Sequence, residues 1–489
     1  MRPYFFLLLL STIVSFGLTR WLAGIATARG WIRSENGDAT GVPRLGGVSV
    51  FATALIMMVL LILWDNQVAA RMMKELPLAL GMIGATGAVF LIGLYDDLRG
   101  ARPWQKLLIQ GTAAVGLYFT GFRIEVLTNP FTQGASHLGW MALPLTVLWL
   151  VAISNAFNLI DGLDGLAAGV GLFATVTLFL LAMLQAQSFV AATTVALAGA
   201  LFGFLPHNFN PARIYLGDSG SLTIGMVLAA LSIHSSQKGP VLLTVAIPLM
   251  IFGLPLLDVG VTTARRFLSG QPLFRRDEEH LHHRLQKIGM TPRTSVLLLY
   301  GLAALFALAS LLLVNYKGAA GSLIALLSGI LAWLVVRQMQ YAEFAELDSH
   351  VRREMRSQRH VLRNHILLRK ATSEVRAAAS VEEAWAMARR IFEALEFSSA
   401  ACELQARSTL RWKSGGEAAA DSWTLTIPLA HNGRPIGKLH LARPMYSGPL
   451  LFRVAPLLEF FAKDFSTRLA ELIERETPES VLRRAAGAR

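Results

Sequence analysis

Between positions 155 and 165 the chain reads Asn155-Ala-Phe-Asn-Leu-Ile-Asp-Gly-Leu-Asp-Gly165, and apolar runs flank this stretch at 141–157 and 167–185. Each run is close to the ~20 residues that a helix needs to cross the hydrocarbon core of a bilayer. A carboxylate at the middle of such a helix costs about 2.5–3.5 kcal/mol. Several carboxylates at this border therefore indicate polar chemistry at the edge of a membrane.

Two further polar clusters have the same setting. Gly93-Leu-Tyr-Asp-Asp97 ends an earlier apolar run, and the stretch from Asn208 to Ser221, which contains Asp218, links two later ones. Carboxylate and amide oxygens are the ligands that Mg²⁺ and phosphate chemistry need. The alternative is that these residues only cap helices or lie in headgroup water.

Composition supports a membrane protein with several spans. The 489 residues are 54% hydrophobic and only 16% charged, with a mean hydropathy of +0.48. The net charge of +13 would suggest nucleic acid for a soluble protein. Here the basic residues lie mainly in loops and in the C-terminal region. Membrane orientation and anionic headgroups explain them better, so no nucleic-acid partner is expected. The single cysteine, Cys402, excludes a disulfide framework.

Hydropathy predicts an all-α polytopic membrane protein with about eleven transmembrane helices. The first is interpreted as an uncleaved helix, not as a signal peptide. Lysine and arginine are concentrated in the loops that carry the clusters, so the N-terminus is predicted outside and the clusters in the cytoplasm of an inner-membrane protein. The predicted spans are roughly 4–24, 46–64, 77–95, 105–121, 141–157, 167–185, 189–206, 220–236, 241–262, 295–314 and 319–337.

The C-terminal part differs in character, and three regions are predicted: a membrane domain 1–337, a linking helix 338–380 and a cytoplasmic domain 381–489. The last has strand-like segments between helical ones, which predicts an α+β domain. Its element order and the segment 433–439 resemble a GAF-type sensory domain. The basic linking helix is expected either to lie against anionic lipid or to pair with a second copy as a homodimer.

Cations and histidines accompany the acidic clusters. Lys106 follows Asp97 by nine positions, and Arg44 lies in the turn Pro43-Arg-Leu-Gly-Gly47. A later loop reads His280-Leu-His-His-Arg284, whose side chains can donate to phosphate oxygens. A zinc site and a solvated basic loop are the alternatives for this loop; zinc usually takes a further ligand and another spacing.

The four elements occur along the chain in the order Asp96-Asp97, Asn155–Gly165, Asn208–Ser221 and His280-Leu-His-His283. In this order they resemble the bacterial polyprenyl-phosphate N-acetylhexosamine-1-phosphate transferases of the glycosyltransferase family 4 type. That family includes the initiating enzymes of enterobacterial antigen and teichoic acid, and the translocase that makes lipid I. The resemblance covers roughly residues 1–337.

The resemblance implies a reaction and a cofactor. An N-acetylhexosamine-1-phosphate, with GlcNAc-1-phosphate as the favoured case, would pass from a UDP-sugar to undecaprenyl phosphate with Mg²⁺ or Mn²⁺, releasing UMP. The product would begin a cell-envelope polysaccharide. The loop 266–285 resembles the subgroup that uses UDP-N-acetylhexosamine, whereas Asp38 stands where the family usually has a basic residue, for which Arg44 could substitute.

The resemblance also implies roles for single residues. Asp96 would deprotonate or position the lipid phosphate, and Asp97 would lie beside the metal and the diphosphate, so both are expected to be catalytic. The metal is expected at Asp218, Asp97 and Asn208. The residues expected to bind substrate are Asn158, Asp161, Asp164, His280, His282, His283, Arg284, Lys106 and Arg44.

Other functions fit parts of the pattern. A transporter or flippase would use membrane carboxylates as ion sites, but such residues lie at mid-helix, whereas these lie at one face. A sensory scaffold would have a degenerate enzyme as its membrane half, which the intact carboxylates argue against. For the transferase, single displacement is preferred, with a covalent aspartyl intermediate as the alternative.

Overall fold

The chain forms two compact units, Met1–Glu343 and Phe344–Arg489. The structure is a computed structural model. It describes residues 2–29, 41–64, 66–128, 135–237, 246–271, 280–315, 319–339, 341–405, 409–414, 421–445 and 454–476.

The described residues of the first unit are helical apart from one short antiparallel strand pair. The strands β1 and β2, Val126–Thr128 and Ala135–His137, pair antiparallel and precede a 3₁₀ turn at Gly139–Met141. The helices are α1 Arg2–Ala28, α2 Gly46–Leu63, α3 Gln67–Met73, α4 Leu76–Arg99, α5 Pro103–Thr120, α6 Ala142–Ile160, α7 Leu166–Leu184, α8 Ser188–Asn208, α9 Gly217–Gln237, α10 Ala246–Ile251, α11 Gly253–Leu268, α12 Leu281–Lys287, α13 Pro292–Asn315 and α14 Ala319–Gln338.

Within the described residues, eight helices are long and apolar enough to cross a membrane, namely α1, α2, α4, α6, α7, α8, α13 and α14. This confirms a membrane protein with many spans. Of the other predicted spans, 105–121 and 220–236 are helical as α5 and α9. The predicted span 241–262 falls on α10 and α11 and on residues outside the described part. The total of eleven stays a prediction.

Helix α8 is the centre of the bundle, since most of its residues are buried. It packs against α1 through small residues: Ser11 Oγ donates to the Ala196 carbonyl at 2.7 Å, and Ser15 Oγ donates to the Ala200 carbonyl at 2.6 Å. A Cβ on Gly203 would overlap the α1 backbone. Small residues and buried hydroxyls of this kind let two membrane helices approach closely.

Two glycines bring α2 and α4 against the start of α9. A Cβ on Gly93 would lie only 2.6 Å from the Ser219 Cα, and a Cβ on Gly47 would overlap the backbone nitrogen of Gly220. Neither position has room for any larger side chain. The close approach places the last turn of α4 beside the first turn of α9, where the acidic clusters meet.

The second unit is an α+β domain. Its four-stranded sheet is antiparallel in the order β4-β3-β6-β5. Its core is rich in phenylalanine, and the rings of Phe392 and Phe461 stack with centroids 5.5 Å apart. The elements are α15 Ala342–Ala377, which begins at the end of the first unit, α16 Val381–Ala394, β3 Ser399–Leu404, β4 Leu410–Lys413, β5 Ser422–His431, β6 Arg434–Pro444, α17 Val454–Glu459, a π-helical segment Phe460–Phe465 and α18 Ser466–Glu476.

The hairpin predicted at Asn432-Gly433 is confirmed. These two residues join β5 to β6 with φ of 49° and 77°, the left-handed conformation that a two-residue hairpin turn requires. Pro428 lies in β5, which is an edge strand, the position in a sheet where proline is tolerated. The small sheet domain is thus confirmed, and its likeness to a GAF domain stays a prediction.

Candidate active site

The first turn of α9 is held by a carboxylate from α4. Asp97 Oδ1 accepts the backbone N–H of Asp218 at 2.8 Å, and Asp97 Oδ2 accepts that of Ser219 at 3.0 Å. The first N–H groups of a helix have no partner within the helix, and a carboxylate satisfies them well. Asp97 is only 7% exposed, so both of its oxygens are used to fix α9.

Lys106 forms ion pairs with the carboxylates of Asp96 in α4 and Asp218 in α9. Its Nζ lies 2.7 Å from Asp218 Oδ2 and 3.3 Å from Asp96 Oδ2. The second oxygen of Asp96 accepts the backbone N–H of Ala101. One ammonium group from α5 therefore neutralises part of the charge of carboxylates from α4 and α9.

The end of α6 completes the group. Asn158 Nδ2 donates to Asp218 Oδ1 at 2.9 Å and to Ser221 Oγ at 3.0 Å. Asp161, which caps the C-terminus of α6, lies against the backbone of Gly217. Desolvation raises the pKa of the Asp161 carboxyl well above its usual value, and the nearby charges of Asp218 and Asp97 raise it further.

We call Asp96, Asp97, Asp161 and Asp218 the carboxylate cluster. The four side chains come from stretches up to 122 positions apart, and the sequence had assigned all of them to one site. The carboxyl groups of this cluster outnumber the one bridging ammonium, and hard oxygen donors of this kind suit Mg²⁺. Among the described residues, no three His, Cys, Asp or Glu side chains are close enough together to ligate one ion as they stand.

Asp164 and Asn208 shape the loop that leads into α9. Asp164 Oδ2 accepts the Asn210 side-chain N–H at 2.9 Å and the Ala212 backbone N–H at 3.0 Å. Asn208 Nδ2 donates to the Ile214 carbonyl at 2.9 Å. Within the described part of the chain, Asn208 Oδ1 is buried without a hydrogen-bond partner. The structure thus shows a loop-forming contact for each of these two residues.

The turn that contains Arg44 is bound to the same loop. Gly46 N donates to the Tyr215 carbonyl at 2.9 Å, and Gly47 N donates to the Leu216 carbonyl at 2.8 Å. Arg44 is close enough to Asp161 for its charge to favour the ionised carboxylate. Asp38 lies outside the described residues.

A buried aspartate that the sequence analysis did not single out holds the histidine loop. Asp258 of α11 is 1% exposed; its Oδ2 lies 3.0 Å from His280 Nδ1, and its Oδ1 accepts the Leu281 backbone N–H at 2.7 Å. One carboxylate thus orients a histidine and caps the first turn of α12. A single aspartate inside the apolar run 246–261 was the signal that could have identified it.

The histidine loop, His280 to Arg284, contacts the Asn155–Gly165 stretch. His280 and His282 stack with ring centroids 5.8 Å apart, and the His283 ring follows at 4.2 Å from His282. A Cβ on Gly162 would overlap His282 Nε2, so this nitrogen lies directly against the Asn155–Gly165 stretch. Burial, together with the charge of His283, lowers the pKa of His282 to about 4. His282 is therefore neutral near pH 7.

Arg284 has a different neighbourhood. Its Nε donates to the Met339 carbonyl at 2.8 Å, and its guanidinium lies 5.4 Å from the centre of the Tyr341 ring. Both partners follow the last span, α14. The structure therefore places Arg284 against the segment that leaves the membrane helices.

Comparison with known proteins gives a consistent result. Residues 79–236, which contain the whole carboxylate cluster, match the glycosyl transferase family 4 profile. A probable undecaprenyl-phosphate N-acetylglucosaminyl 1-phosphate transferase of Bacillus subtilis is 35% identical over 56% of this chain and 73% of its own length. The decaprenyl-phosphate N-acetylglucosaminephosphotransferase of Mycobacterium tuberculosis is 35% identical, over 59% and 76% respectively. A phospho-N-acetylmuramoyl-pentapeptide-transferase of Synechococcus is 34% identical, over 61% and 86%.

Proposed function

We propose, since the chain belongs to glycosyl transferase family 4, that it transfers a hexosamine-1-phosphate from a UDP-sugar to undecaprenyl phosphate at the carboxylate cluster. The donor we favour is UDP-N-acetylglucosamine, because two of the similar proteins are named for N-acetylglucosamine and a polyprenyl phosphate. The observation that carries the proposal is the convergence of Asp96, Asp161 and Asp218 around Lys106 and Asn158 at the ends of α4, α6 and α9.

Charge is the main obstacle to this reaction, because an anionic phosphate must attack an anionic diphosphate. Lys106 supplies one fixed positive charge, and Arg44 a second one near Asp161. The excess of carboxylates is suited to a divalent cation, Mg²⁺ or Mn²⁺, which when bound would neutralise the diphosphate and the departing UMP.

Asp218 is the proposed principal ligand of that cation, with Asp161 as the neighbouring oxygen donor. Asp97 supports the same site by fixing Asp218, since both Asp97 oxygens bind the α9 backbone. Asn208 stays a candidate ligand through its Oδ1, which has no partner among the described residues.

Asp96 is proposed to contact the acceptor, the phosphate of undecaprenyl phosphate. It deprotonates or positions the lipid phosphate, and Lys106 holds its carboxylate in place. In a single displacement, a lipid phosphate oxygen forms a bond to the β-phosphorus of the donor while the bond to the bridging oxygen breaks and UMP leaves. A covalent aspartyl intermediate is the alternative. Exchange of labelled UMP into the UDP-sugar without any acceptor would identify that covalent route.

The histidine loop is the proposed site for the sugar phosphate or the nucleotide. His282 is neutral near pH 7, and its Nε2 lies beside Gly162 without a hydrogen-bond partner among the described residues. His280 is oriented by Asp258. Together with Asn158 and Asp161, these rings give polar contacts on one side of the cluster.

The location of the cluster argues against a transporter. Its members lie in the last turn of α4, at the C-terminal cap of α6 and in the first turn of α9, not at the middle of a span. We place this face in the cytoplasm of an inner membrane because the loops around it carry the larger share of lysine and arginine. The second unit is proposed to regulate or to oligomerise the enzyme.

The direct test uses purified full-length protein with undecaprenyl phosphate, Mg²⁺ and a panel of UDP-sugars. We expect UMP release with UDP-N-acetylglucosamine that requires the lipid, and a lipid product whose mass equals undecaprenyl phosphate plus the sugar phosphate. UMP release that ignores the lipid, or no turnover with any UDP-N-acetylhexosamine, would contradict the proposal.

A further inference from the structure

A cavity lined by two arginines lies far from the carboxylate cluster. Its volume is 540 Å³, and it is formed by the start of α1, the start of α3 and the turn between α7 and α8. The carboxylate cluster is near the opposite, C-terminal end of α8. The 21 residues of α8 span about 30 Å, so the cavity belongs to the other face of the membrane unit.

Among the residues that the structure describes, the charged ones that line the cavity are Arg2 and Arg71, and both are exposed. Within the described part of the chain, no carboxylate lines the cavity, and neither arginine forms an ion pair. Two guanidinium groups on one cavity repel each other unless an anion lies between them. The planar guanidinium matches the oxygens of a phosphate group in geometry as well as in charge.

Two long helices begin at this cavity. Tyr4, in the first turn of α1, and Ser188, the first residue of α8, line it and interact with each other. The N–H groups at a helix start have no partner within the helix, and the helix dipole is positive there. The backbone therefore adds to the preference of the two arginines for an anion.

A buried amide adds a hydrogen-bond acceptor. Gln187 lines the cavity and is 6% exposed; its Nε2 donates to Gln185 Oε1 at 2.8 Å and to the Ser235 carbonyl at 3.2 Å. Its Oε1 is buried without a partner among the described residues. Such an oxygen is costly to leave unpaired, and a rotation of the Gln187 amide toward the cavity would let a ligand hydroxyl satisfy it.

We propose that this cavity binds the phosphodiester headgroup of an anionic phospholipid that carries a hydroxyl, such as phosphatidylglycerol. The phosphate lies between Arg2 and Arg71, and the headgroup faces Gln187. A lipid is the source of the phosphate because α1 and α8 are membrane-crossing helices that begin at the cavity, which places it at headgroup depth. This site is independent of the transferase reaction.

The test compares lipid retention by full-length variants. Purified protein is reconstituted with phosphatidylglycerol, returned to detergent, and the bound lipid is counted by native mass spectrometry. The variant Arg2→Gln/Arg71→Gln removes both charges; the control Lys74→Gln removes one exposed charge from the end of α3 that does not line the cavity. We expect about a hundredfold weaker retention in the double variant, since each of the two lost charge-assisted hydrogen bonds has an effect of about tenfold, and unchanged retention in the control.

Two further arms separate the possible sources of the phosphate. Soluble glycerophosphoglycerol in excess should leave the lipid bound. Displacement of the lipid under the same conditions would show a site for free phosphate esters and contradict a lipid site. Equal loss in the Lys74→Gln control would show that only surface charge matters and would also overturn the proposal. Should the double variant fold poorly, the single Arg71→Gln variant, on an exposed position of α3, must show the same direction of change.

Discussion

Both carboxylate oxygens of Asp97 are occupied by hydrogen bonds that fix a neighbouring helix of the candidate site. They accept the backbone N–H groups of Asp218 and Ser219 from another helix. The sequence identified Asp97 by its position in an acidic pair but could not show this contact, because it joins residues 121 and 122 positions apart. The structure thus gives Asp97 a positioning role at the first turn of α9.

Asp97→Asn is predicted to destabilise the membrane unit. An amide offers one acceptor oxygen and turns its NH₂ group toward a backbone N–H, so one buried donor loses its partner at a cost of about 1–3 kcal/mol. The midpoint of thermal unfolding of the purified protein should fall, and activity should fall with it. Asp348→Asn, on the exposed surface of α15, serves as the control and should leave the midpoint unchanged. Equal midpoints in the two variants would show that the α4–α9 contact contributes little.

His282 is predicted to make the fold sensitive to acid. The pKa of His282 is lowered to about 4 in the folded protein, so the unfolded chain binds more protons between about pH 6.5 and pH 4. Stability is complete above about pH 6.5 and falls as the pH approaches 4, by about 3 kcal/mol for this group. Unfolding midpoints measured across this range should fall less in His282→Gln than in the parent protein. The exposed His350→Gln should follow the parent curve; identical curves for all three would refute the prediction.

Helix ends position the site. The last turn of α4, the C-terminal cap of α6 and the first turn of α9 meet because Gly47 and Gly93 allow backbones to touch. A glycine in a membrane helix can mark such a contact, but the sequence contains many glycines, and only the packing shows which ones lie at a contact.

Gly93→Ala is therefore predicted to separate α4 from α9. The new methyl group would lie 2.6 Å from the Ser219 Cα, and overpacking of this kind costs about 1–3 kcal/mol. Both thermal stability and transferase activity should fall. Gly87→Ala on the same helix is the matched control, because a Cβ there meets nothing within 4 Å. Equal loss of activity in both variants would show that alanine in α4 is harmful for a reason other than the contact with α9.

The residues of the site could largely be predicted from the sequence, whereas the hydrogen bonds among them could not. The helices, the order of the four elements and the convergence of Asp96, Asp97, Asp161 and Asp218 could be anticipated, because polar residues at the ends of adjacent spans meet at one membrane face. The loop-forming bonds of Asp164 and Asn208 and the position of Arg284 could not. Those contacts depend on the path of the loops between spans, which hydropathy does not encode.

The whole chain consists of a membrane unit and a separate α+β unit. The second unit has its own core, centred on Phe392, Phe461 and neighbouring apolar side chains. The residues from the end of α14 to Glu343, in the first turn of α15, belong to the membrane unit, where Arg265 Nη1 lies 3.0 Å from Glu343 Oε1 and Arg284 contacts Tyr341.

This arrangement predicts where the chain can be shortened. A protein that ends after residue 348 keeps Tyr341 and Glu343 and should retain basal transferase activity in membranes. A protein that ends after residue 340 loses both contacts, leaves Arg265 without this buried ion pair, and should unfold at a lower temperature. Turnover and unfolding midpoints of the two proteins test this. An inactive but well-folded 1–348 protein would show that the second unit contributes to the active site.

The most direct measurement is Mg²⁺-dependent release of UMP by the full-length protein and by its Asp218→Asn variant, with UDP-N-acetylglucosamine and undecaprenyl phosphate as substrates. An amide cannot replace a charged metal ligand, so turnover should fall by orders of magnitude in the variant and should vanish in both proteins when a chelator is added. Asp464→Asn, which changes an ion-paired carboxylate of the second unit, should behave as the parent protein. Full metal-dependent turnover by a well-folded Asp218→Asn protein would contradict the assignment of the reaction to the carboxylate cluster.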